Sequence, residues 1–550
     1  MKNKILKIHP DDNAIVALTD LQAGDTVIWD NVSFEIKERV AAKHKFATED
    51  LDEGAPVYMY GVLIGKTKMP VQKGYGLNTS NLKHAASGFE VGERHTTWNK
   101  PDVSRWAGKT FNGYHREDGS VGTANYWIVV PMVFCENRNV EVLQEALVNQ
   151  LGYGRNNKYL VQAKSLIDLY RTGSSAADIL NAEVKPEGNY NETERLFKNV
   201  DGVKFLLHSM GCGGTRQDAQ ALCGLLAGYI THPNVAGATV LSLGCQNAQV
   251  GMLEAEIKKR SADFKKPLYI LDQQKTGTEA ELLSLAIKQT FAGLIKADQI
   301  TRKPAPLSKL CIGLECGGSD GFSGISANPA IGYTSDLLVA LGGSVILSEF
   351  PELCGVEQNL SDRCVGRESA ERFSSLVKAY SKSAEAVGSG FDMNPSPGNI
   401  KDGLITDAIK SAGAAKKGGS SPVTDVLDYP EKVSKPGLNL LCTPGNDVES
   451  TTAEVAAGAN IVLFTTGLGT PTGNPVAPVV KIATNTSMFN RMNDIMDINT
   501  GSIIEGDETI VEAGERILDY VIKVASGEIT VAAVKHGQDD FIPWKRGVSL

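Results

Sequence analysis

The sequence contains no long apolar run and no excess of positive charge. No stretch reaches the roughly 18 apolar residues that a membrane-spanning helix needs, and the opening MKNKILKIHPDDN has neither the apolar core nor the cleavage site of a secretory leader. Lysine and arginine total 55 against 64 acidic residues, a net charge of −9, so no global basic field favours nucleic acid. We therefore expect a cytoplasmic protein that binds neither a membrane nor nucleic acid.

Cysteine is scarce, and it is irregularly spaced. Nine cysteines in 550 residues, with no C-x-x-C pair, exclude a disulfide scaffold and a zinc finger built from neighbouring residues. Such cysteines fit a reducing compartment, where thiols pack as small apolar groups or bind a soft metal. Nucleotide motifs are also missing, because no loop has the GK[ST] of a Walker A sequence. In Gly467-Leu-Gly-Thr-Pro-Thr472, threonine stands where a dinucleotide-binding loop has its third glycine.

The composition is that of a folded protein, with 42% hydrophobic residues and 56 glycines. At about 150 residues per domain, the length predicts three or four domains. Short β-type runs separated by turn residues predict a small all-β domain over 1–92, and 93–108 resembles a linker. From 109 onward, apolar strand-like runs alternate with helix-length patterns. This predicts an α/β class with mostly parallel sheets, in two parts, 109–300 and 301–550. The Gly/Ser/Lys-rich stretch 410–425 is expected to be a loop.

Four predicted strands end in or next to a cysteine, at Cys135, Cys212, Cys245 and Cys316. Ligands of α/β proteins bind beyond the carboxyl ends of strands, and glycines flank the last three of these cysteines. Thiolates select iron, zinc or copper(I), so these four residues are candidate ligands of a metal or an iron–sulfur site. The alternative is that they are ordinary buried thiols. The remaining cysteines lack the full pattern and are interpreted as packing thiols: Cys223, Cys311, Cys354, Cys364 and Cys442.

Three loops combine glycine with hydroxyl and amide side chains, a composition that can hold a carboxylate or a polyol. Each has a structural Gly-rich turn as its alternative. The candidate binding residues are Ser319, Asp320, Ser323, Asn328, Asn394, Ser396, Asn399, Thr466 and Thr470. His208, at a predicted strand end, is a candidate base or ligand, with a satisfied core histidine as the alternative. His84, His95 and His536 have no informative context.

The ordered motifs of the chain resemble the altronate/galactarate dehydratase family from end to end. They are Ile8-His-Pro-Asp-Asp-Asn13, Lys43-His-Lys-Phe-Ala47, Gly113-Tyr-His-Arg-Glu-Asp-Gly119, Gly211-Cys-Gly213, Gly244-Cys245, the block CGGSDGFSGISANPAIGYTSDLL over 316–338, Ser348-Glu349, Asn394-Pro-Ser-Pro-Gly-Asn399, Phe464-Thr-Thr-Gly-Leu-Gly-Thr-Pro471 and Asp494-Ile-Met-Asp-Ile-Asn-Thr-Gly501.

The resemblance implies an N-terminal SAF domain, β-clip-like, followed by a two-part α/β catalytic region. It implies a hydro-lyase that converts a six-carbon sugar acid such as D-altronate to a 2-keto-3-deoxy acid in hexuronate catabolism. The implied cofactor is Fe²⁺, with Mn²⁺ or an iron–sulfur cluster as alternatives, and a homo-oligomer is possible. The four strand-end cysteines fall on positions that are cysteine in both altronate- and galactarate-type members.

Within that resemblance, His208 or Lys481 is the expected base, and His44 is expected to reach in from the SAF domain. One departure concerns the SAF turn, where altronate-type members carry two histidines and this chain has Asn78 and Ser80. Galactarate or another aldonate or aldarate is therefore an alternative substrate. A sulfolactate-type sulfo-lyase and a non-catalytic binder of sugar acids are alternatives of other classes.

Overall fold

The N-terminal region is a small all-β domain. The computed structural model describes residues 3–154, 158–185 and 194–550. Antiparallel pairing gives the strand orders β1-β2-β5-β8, β3-β4 and β6-β7-β9. Its strands are β1 (Ile5–Leu6), β2 (Ala14–Ala17), β3 (Thr26–Trp29), β4 (Val32–Glu35), β5 (Lys45–Ala47), β6 (Pro56–Met59), β7 (Val62–Thr67), β8 (Gly76–Leu77) and β9 (Leu82–Lys83).

Two-residue turns fix the hairpins of this domain. Asp30 and Asn31, between β3 and β4, have φ values of 52° and 64°, and Tyr60 and Gly61, between β6 and β7, have 61° and 75°. Positive φ at both central positions matches the right-handed twist of a tight hairpin, which is why turn-forming residues separate the β-type runs. Residues 84–103 then contain neither helix nor strand, and a 3-10 helix follows at Ser104–Trp106.

The central region is built on a four-stranded parallel sheet of order β13-β12-β14-β15. A small antiparallel sheet, β11-β10-β16, lies beside it and includes a strand from the beginning of the C-terminal region. The strands are β10 (Thr110–His115), β11 (Val121–Gly122), β12 (Tyr126–Pro131), β13 (Gly202–Phe205), β14 (Val235–Ser242), β15 (Leu268–Asp272) and β16 (Arg302–Pro306). The helices are α1 (Asn137–Leu147), α2 (Lys158–Arg171), α3 (Ala176–Asn181), α4 (Arg216–Thr231), α5 (Val250–Arg260), α6 (Gln273–Thr276) and α7 (Glu279–Ala297).

The C-terminal region is built on a seven-stranded, all-parallel sheet of order β19-β20-β18-β17-β21-β22-β23. Its strands are β17 (Cys311–Cys316), β18 (Ser344–Leu347), β19 (Val423–Leu427), β20 (Gly437–Leu441), β21 (Ile461–Thr466), β22 (Val479–Ala483) and β23 (Ile498–Asn499). Its helices are α8 (Ala327–Ala340), α9 (Glu357–Asp362), α10 (Arg367–Glu385), α11 (Pro397–Lys401), α12 (Asp407–Ala415), α13 (Asp447–Ala457), α14 (Thr486–Arg491), α15 (Gly501–Glu505), α16 (Ile510–Ala525) and α17 (Ala532–His536).

The predicted class, a small β domain followed by an α/β region with parallel sheets, is confirmed. Strands such as β14 and β21 are buried along their whole length because helices cover both faces of a parallel sheet. Their sequences are therefore mostly apolar, and the polar residues within them, such as Thr239 and Thr465, are buried as well. Across the described ranges, no helix is both long enough and apolar enough to span a membrane.

The expectation of a loop over 410–425 is wrong. The segment contains most of α12, a 3-10 helix at Lys416–Gly418 and the start of β19. Thr406 caps α12 by accepting a hydrogen bond from the Ile409 N–H, and the small apolar residues of the helix are buried. The glycines and serines around the lysines are typical of a loop, but packing against the rest of the protein stabilises a helix here.

Candidate active site

The carboxyl edge of the seven-stranded sheet gathers the candidate site. Adjacent parallel strands β18, β17 and β21 end here, at Leu347, Cys316 and Thr466. The loops that follow therefore meet, as is typical of ligand sites in open α/β sheets. We call the side chains that gather here the Cys316 cluster. Its members are Glu315, Cys316, Glu349, Glu352, Lys410, Lys417, Asp447 and Glu454.

Cys316 and two lysines form the centre of this cluster. Lys417 Nζ lies 2.9 Å from Cys316 Sγ and 2.8 Å from Glu349 Oε2. The same Sγ is 3.7 Å from Glu349 Oε2 and 3.6 Å from Glu352 Oε2. Lys410 Nζ lies 2.5 Å from Glu352 Oε1. Lys417, Glu349, Glu352 and Cys316 are each at most 2% exposed, so water screens these charges very little.

Acidic groups outnumber the cations of the cluster. Five carboxyl groups and one thiol face two lysines, and burial raises the pKa of most of the acids. Burial, and then the charge of Glu349, raises the pKa of Glu315 well above its ordinary value. Burial raises the pKa of Glu454 to about 8 and that of the Cys316 thiol to about 12. Burial opposes ionisation of Glu349 as well, but Lys417 holds its pKa below the ordinary value.

Glu349 carries the backbone conformation that marks a constrained position. Its φ and ψ are 60° and 57°, in the left-handed region that glycine normally occupies. Such strain persists only where the surroundings enforce it, and it concentrates at functional sites. Oε1 of Glu349 and Oε2 of Glu315 are buried without a hydrogen-bond donor. A shared proton or a bound cation would satisfy both oxygens.

Lys481 and Asp447 lie next to the loop that follows Cys316. A Cβ at Gly317 would collide with Asp447 Oδ2 and with the ring of Phe464, and Lys481 Nζ lies 4.4 Å above that ring. Lys481 Nζ also donates to the Thr470 carbonyl oxygen at 2.6 Å. Burial lowers the pKa of Lys481 to about 7, and burial together with Glu349 and Glu352 raises the pKa of Asp447 to about 7. Both groups can therefore exchange protons near neutral pH.

A polar cavity lies next to Thr470, the residue whose carbonyl oxygen accepts the hydrogen bond from Lys481. Pro471, which follows Thr470, lines this cavity. The cavity measures about 340 Å³ and lies between β13 and the segment 537–540. Lys204 and Asp540 are among its lining residues, and Asp540 also raises the pKa of Lys481 electrostatically. Its volume is at the lower end of the range for small-molecule pockets.

Family models match the chain in three consecutive parts. An altronate/galactarate dehydratase SAF domain matches residues 3–85, the D-galactarate dehydratase/altronate hydrolase second domain matches 113–298, and the D-galactarate/altronate dehydratase C-terminal domain matches 307–549. The chain is similar to altronate dehydratase of Bacillus subtilis, with 33% identity over 99% of both chains. The chain belongs to the altronate/galactarate dehydratase family.

Two further relatives bear on the class of chemistry within this dehydratase family. Galactarate dehydratase (L-threo-forming) of Escherichia coli is 31% identical over 95% of this chain and 93% of its own length. The (2R)-sulfolactate sulfo-lyase subunit beta of Chromohalobacter salexigens is 26% identical over 77% of this chain and 95% of its own length. The resemblance inferred from the motifs is confirmed, and it places the chain among hydro-lyases.

In this family member the SAF domain docks against the same sheet edge. Lys43 Nζ lies 3.1 Å from Asp320 Oδ2 and 3.0 Å from Asp402 Oδ1, and the buried Lys45 donates to the Gly403 carbonyl oxygen at 2.6 Å. A Cβ at Gly321 would collide with the Lys43 carbonyl oxygen. The glycines of the predicted ligand loop therefore let the two backbones approach closely.

Most of the predicted binding residues form hydrogen bonds within the protein. Ser323, Thr484 and Asn485 donate to the carboxylate of Asp320, in addition to Lys43. Three further predicted residues also form internal hydrogen bonds. Asn328 bonds to Thr465 and to the Gly413 carbonyl oxygen, Ser396 and Asn399 form the capping box of α11, and Asn399 also donates to the Ser319 carbonyl oxygen.

Three other predicted binding residues lie at the Cys316 cluster or beside Lys481. Asn394 donates to Glu352 Oε1 at 3.0 Å and accepts from Lys410 at 3.1 Å. Thr466 Oγ1 lies 3.4 Å from Thr470 Oγ1, in the loop that anchors Lys481. All nine predicted binding residues, including those with internal hydrogen bonds, stay predictions as substrate contacts.

The two predicted histidines lie away from this cluster. His208 Nε2 faces the Pro131 carbonyl oxygen at 2.7 Å, and Nδ1 accepts from the Met210 N–H at 3.1 Å, so backbone groups occupy both nitrogens. Burial lowers its pKa to about 4 despite the hydrogen bond to Pro131. His44 lies 3.1 Å from the Lys401 carbonyl oxygen, at the SAF docking surface. The role of His208 as base and the reach of His44 into the site stay predictions.

The predicted metal cysteines separate into two places. Cys135, Cys212 and Cys245 lie in the loops after β12, β13 and β14 of the central sheet, and we call this group the cysteine edge. Backbone hydrogen bonds join the loops, from Phe134 N–H to the Met210 carbonyl oxygen and from Asn247 N–H to that of Gly211. All three thiols are exposed, and in the described residues none belongs to a group of three ligand atoms within 4.8 Å.

Cys316, by contrast, is a member of such a group, together with Glu349 and Glu352. Sulfur and carboxylate donors suit a divalent transition metal, and the surplus of carboxyl groups favours a cation. The residues present therefore fit a metal ion. Sequence reasoning missed the lysines and most of the acids of this cluster: Glu352, Lys410, Lys417, Asp447 and Glu454. The available signal was the motif Ser348-Glu349 at a strand end and the lysines inside the stretch expected to be a loop.

Proposed function

We propose that this protein dehydrates a six-carbon sugar acid such as D-altronate to a 2-keto-3-deoxy acid, at the Cys316 cluster. The carrying observation is a buried, predominantly acidic group at the carboxyl edge of the seven-stranded sheet, in which Asp447 and the neighbouring Lys481 both have pKa values of about 7. This supports a reaction that needs a base, an acid and stabilisation of an anion in one enclosed place. The full-length similarity to altronate and galactarate dehydratases supports the same substrate class.

The reaction removes the proton at C2 and the hydroxyl group at C3 of the acid. The C2–H electron pair becomes the C2=C3 bond, the C3 oxygen leaves as water after taking up a proton, and the resulting enol tautomerises to the ketone. The C2 proton lies beside an ionised carboxylate and is very weakly acidic. The site must therefore stabilise the extra negative charge that develops there.

Lys481 is the proposed base. Its pKa of about 7 leaves a large fraction of the amine neutral at neutral pH, with a lone pair free to accept the proton. The hydrogen bond to the Thr470 carbonyl oxygen fixes the position of Nζ. Asp447, with a pKa of about 7, is the proposed donor of the proton that leaves with the C3 oxygen.

The proposed metal ligands are Cys316 Sγ and the carboxylates of Glu349 and Glu352. A ferrous ion held there would supply Lewis-acid stabilisation of the negative charge that develops on the substrate; manganese or an iron–sulfur cluster are the alternatives. Lys410 and Lys417 hold the two carboxylates in place and balance part of their charge. The expectation that Cys135, Cys212 and Cys245 share one metal site with Cys316 stays a prediction.

The test is a substrate screen with metal analysis. Protein loaded with Fe²⁺ without oxygen is incubated with a panel of hexonates and hexarates, and 2-keto-3-deoxy acid is quantified. We expect one aldonate or aldarate to be converted, with iron content and turnover both lost in Cys316→Ser and in Glu349→Gln. The matched control is Cys212→Ser, which retains the iron of the Cys316 cluster.

Two outcomes contradict the proposal. If Cys316→Ser changes neither iron content nor turnover, the metal assignment is wrong. If no sugar acid is converted while sulfite is released from a sulfonated hydroxy acid, the protein is a sulfo-lyase like one of its relatives.

A further inference from the structure

A second group of ligand-type side chains lies outside the Cys316 cluster. His84 directly follows β9, Cys354 follows the 3-10 helix Phe350–Leu353, and Asp407 is the first residue of α12. A ring nitrogen, the thiol sulfur and a carboxylate oxygen of these three residues all lie within 4.8 Å of one another. We call them the His84 cluster. The sequence alone indicated a packing thiol at Cys354 and no role for His84.

The polar atoms of the His84 cluster are buried and poorly satisfied. Asp407 is 1% exposed; its Oδ1 accepts from Ser411 Oγ at 3.2 Å, whereas Oδ2 has no conventional hydrogen-bond partner. Nδ1 of His84 is also buried without one. Besides Ser411, the Cys354 thiol, which is a weak donor, hydrogen-bonds to the Asp407 carboxyl. Unsatisfied buried donors and acceptors are rare, and each one costs about 1–3 kcal/mol.

The charge around the His84 cluster is also unbalanced. In the Cys316 cluster, Lys417 and Lys410 pair with Glu349 and Glu352. The charged groups that act on the His84 cluster are mainly acidic, because Asp392 and Glu357 act on Cys354 and Asp392 also acts on His84. Lys410 acts on Asp407 but is already held by Glu352. A cation at the centre of the three ligand atoms would satisfy Oδ2 and the ring nitrogen together.

We propose that His84, Cys354 and Asp407 bind one divalent transition-metal ion of the zinc type. One imidazole nitrogen, one thiolate and one carboxylate are the donors that zinc prefers, whereas magnesium and calcium prefer oxygen donors alone. Three protein ligands leave one position of a tetrahedral ion for water or for a carboxylate. Binding displaces the protons of the Cys354 thiol and the Asp407 carboxyl.

Such an ion would join the end of the SAF domain to the C-terminal region. The neighbouring contacts point the same way, because Thr406 Oγ1 donates to the Ile64 carbonyl oxygen of β7 at 2.8 Å. Cys354 lies two residues after Glu352, and Asp407 lies three residues before Lys410. The ion would therefore fix both segments that carry the Glu352–Lys410 pair, which makes its ligands positioning residues for the Cys316 cluster.

The first experiment measures zinc protection of Cys354 on the full chain. The protein is stripped with a chelator and labelled with a maleimide with and without added Zn²⁺, and the labelled cysteines are identified by peptide mass spectrometry. We expect Zn²⁺ to slow labelling of Cys354 at least tenfold, and this protection to be lost in His84→Ala and in Asp407→Asn. The exposed Cys135, Cys212 and Cys245 serve as internal comparison.

The second experiment counts zinc retained per chain after desalting. We expect His84→Ala and Asp407→Asn each to retain one equivalent less than the unmodified protein. His95→Ala should retain the full amount, because it replaces an exposed histidine of the segment 84–103, which also contains His84. Circular dichroism confirms that the variants are folded. Equal zinc retention in all four proteins would overturn the proposal, and so would unchanged labelling of Cys354 on addition of Zn²⁺.

Discussion

The central sheet and the C-terminal sheet both end parallel strands in loops that contain glycine and cysteine. In the central sheet the thiols of Cys135, Cys212 and Cys245 are exposed, whereas Cys316 of the C-terminal sheet is 2% exposed. The difference comes from what covers each edge. The seven-stranded sheet is covered by α12, by the loops of Glu349 and Asn394, and by the docked SAF domain.

Whether other parts of the protein cover a sheet edge changes the chemistry that a given residue type can perform there. At the covered edge, burial in a medium of low dielectric constant moves the pKa values of Lys481 and Asp447 to about 7. The Lys417–Glu349 pair shifts in the opposite sense, because each partner stabilises the charge of the other: the pKa of Glu349 lies below its ordinary value and that of Lys417 above it. At the exposed edge, water screens such effects. A cysteine at a strand end is therefore not sufficient to predict a site, and the neighbouring loops decide its function.

The largest expected effect separates the two candidate bases, one from each sheet. Lys481→Met should lower kcat by about 10²–10⁴-fold, because methionine fills the buried space but cannot accept a proton. In the unmodified enzyme, kcat/KM should fall as the pH drops below about 7, because the protonated amine is inactive as a base. Steady-state rates of keto-acid formation between pH 5 and 9 measure both effects.

The matched control for this prediction is His208→Gln, since an amide can replace the two backbone hydrogen bonds of the imidazole. It should retain activity within a few-fold. If His208→Gln loses as much activity as Lys481→Met, or if Lys481→Met stays active, then Lys481 is not the base and the active edge must be assigned again.

Removal of the central cation of the covered edge is the second prediction. Lys417→Met leaves Glu349 and Cys316 without their buried partner, which should lower the free energy of unfolding of the metal-free protein by about 3–5 kcal/mol. Urea denaturation measures this change. Lys435→Met is the control, because the Lys435–Asp425 pair, with Lys435 57% exposed, is worth at most about 1 kcal/mol. Equal effects of the two substitutions would show that water screens the charges of the Cys316 cluster as strongly as it screens a surface ion pair.

Sequence patterns predicted the architecture well, because a buried parallel strand must be a mostly apolar run. Two of the loops that these patterns singled out, those of Cys316 and Asn394, meet at the Cys316 cluster. The patterns did not reveal which polar residues of those loops form hydrogen bonds within the protein. The carboxylate of Asp320 contacts Lys43, Thr484 and Asn485, which are all distant from it along the chain, and its role in substrate binding stays a prediction.

The missed lysines show a second limit. Lys410 and Lys417 lie 94 and 101 positions along the chain from Cys316, in a stretch whose glycines and serines resemble a loop. Only packing of α12 against the sheet edge brings them to the cluster. The same holds for His84 and Cys354, because their proximity depends on how the end of the SAF domain packs against the C-terminal region. Sequence spacing contains no signal for such long-range contacts.

The docking of the SAF domain on the C-terminal edge through Lys43 gives the third prediction. Lys43→Met should lower the free energy of unfolding by about 1–3 kcal/mol, because Asp320 loses its cation but keeps its hydrogen bonds. Thermal and urea unfolding measure the change. The control is Lys37→Met, since the Lys37–Glu35 pair lies at the surface of the same domain. If Lys43→Met behaves like Lys37→Met, the docking contact contributes nothing to the buried state of the edge.

The smallest expected effect concerns the exposed edge itself. Cys212→Ser should change the free energy of unfolding by less than about 0.5 kcal/mol, because an exposed thiol contributes little packing. Cys316→Ser should be clearly more destabilising, because it replaces a buried sulfur that contacts Lys417. Both values come from urea titrations of metal-free protein. If Cys212→Ser is as destabilising as Cys316→Ser, the loops of the cysteine edge depend on this thiol for more than solvent contact. A bound metal that survives chelation would then be the first explanation to test, because its ligands would be stabilised by the binding free energy.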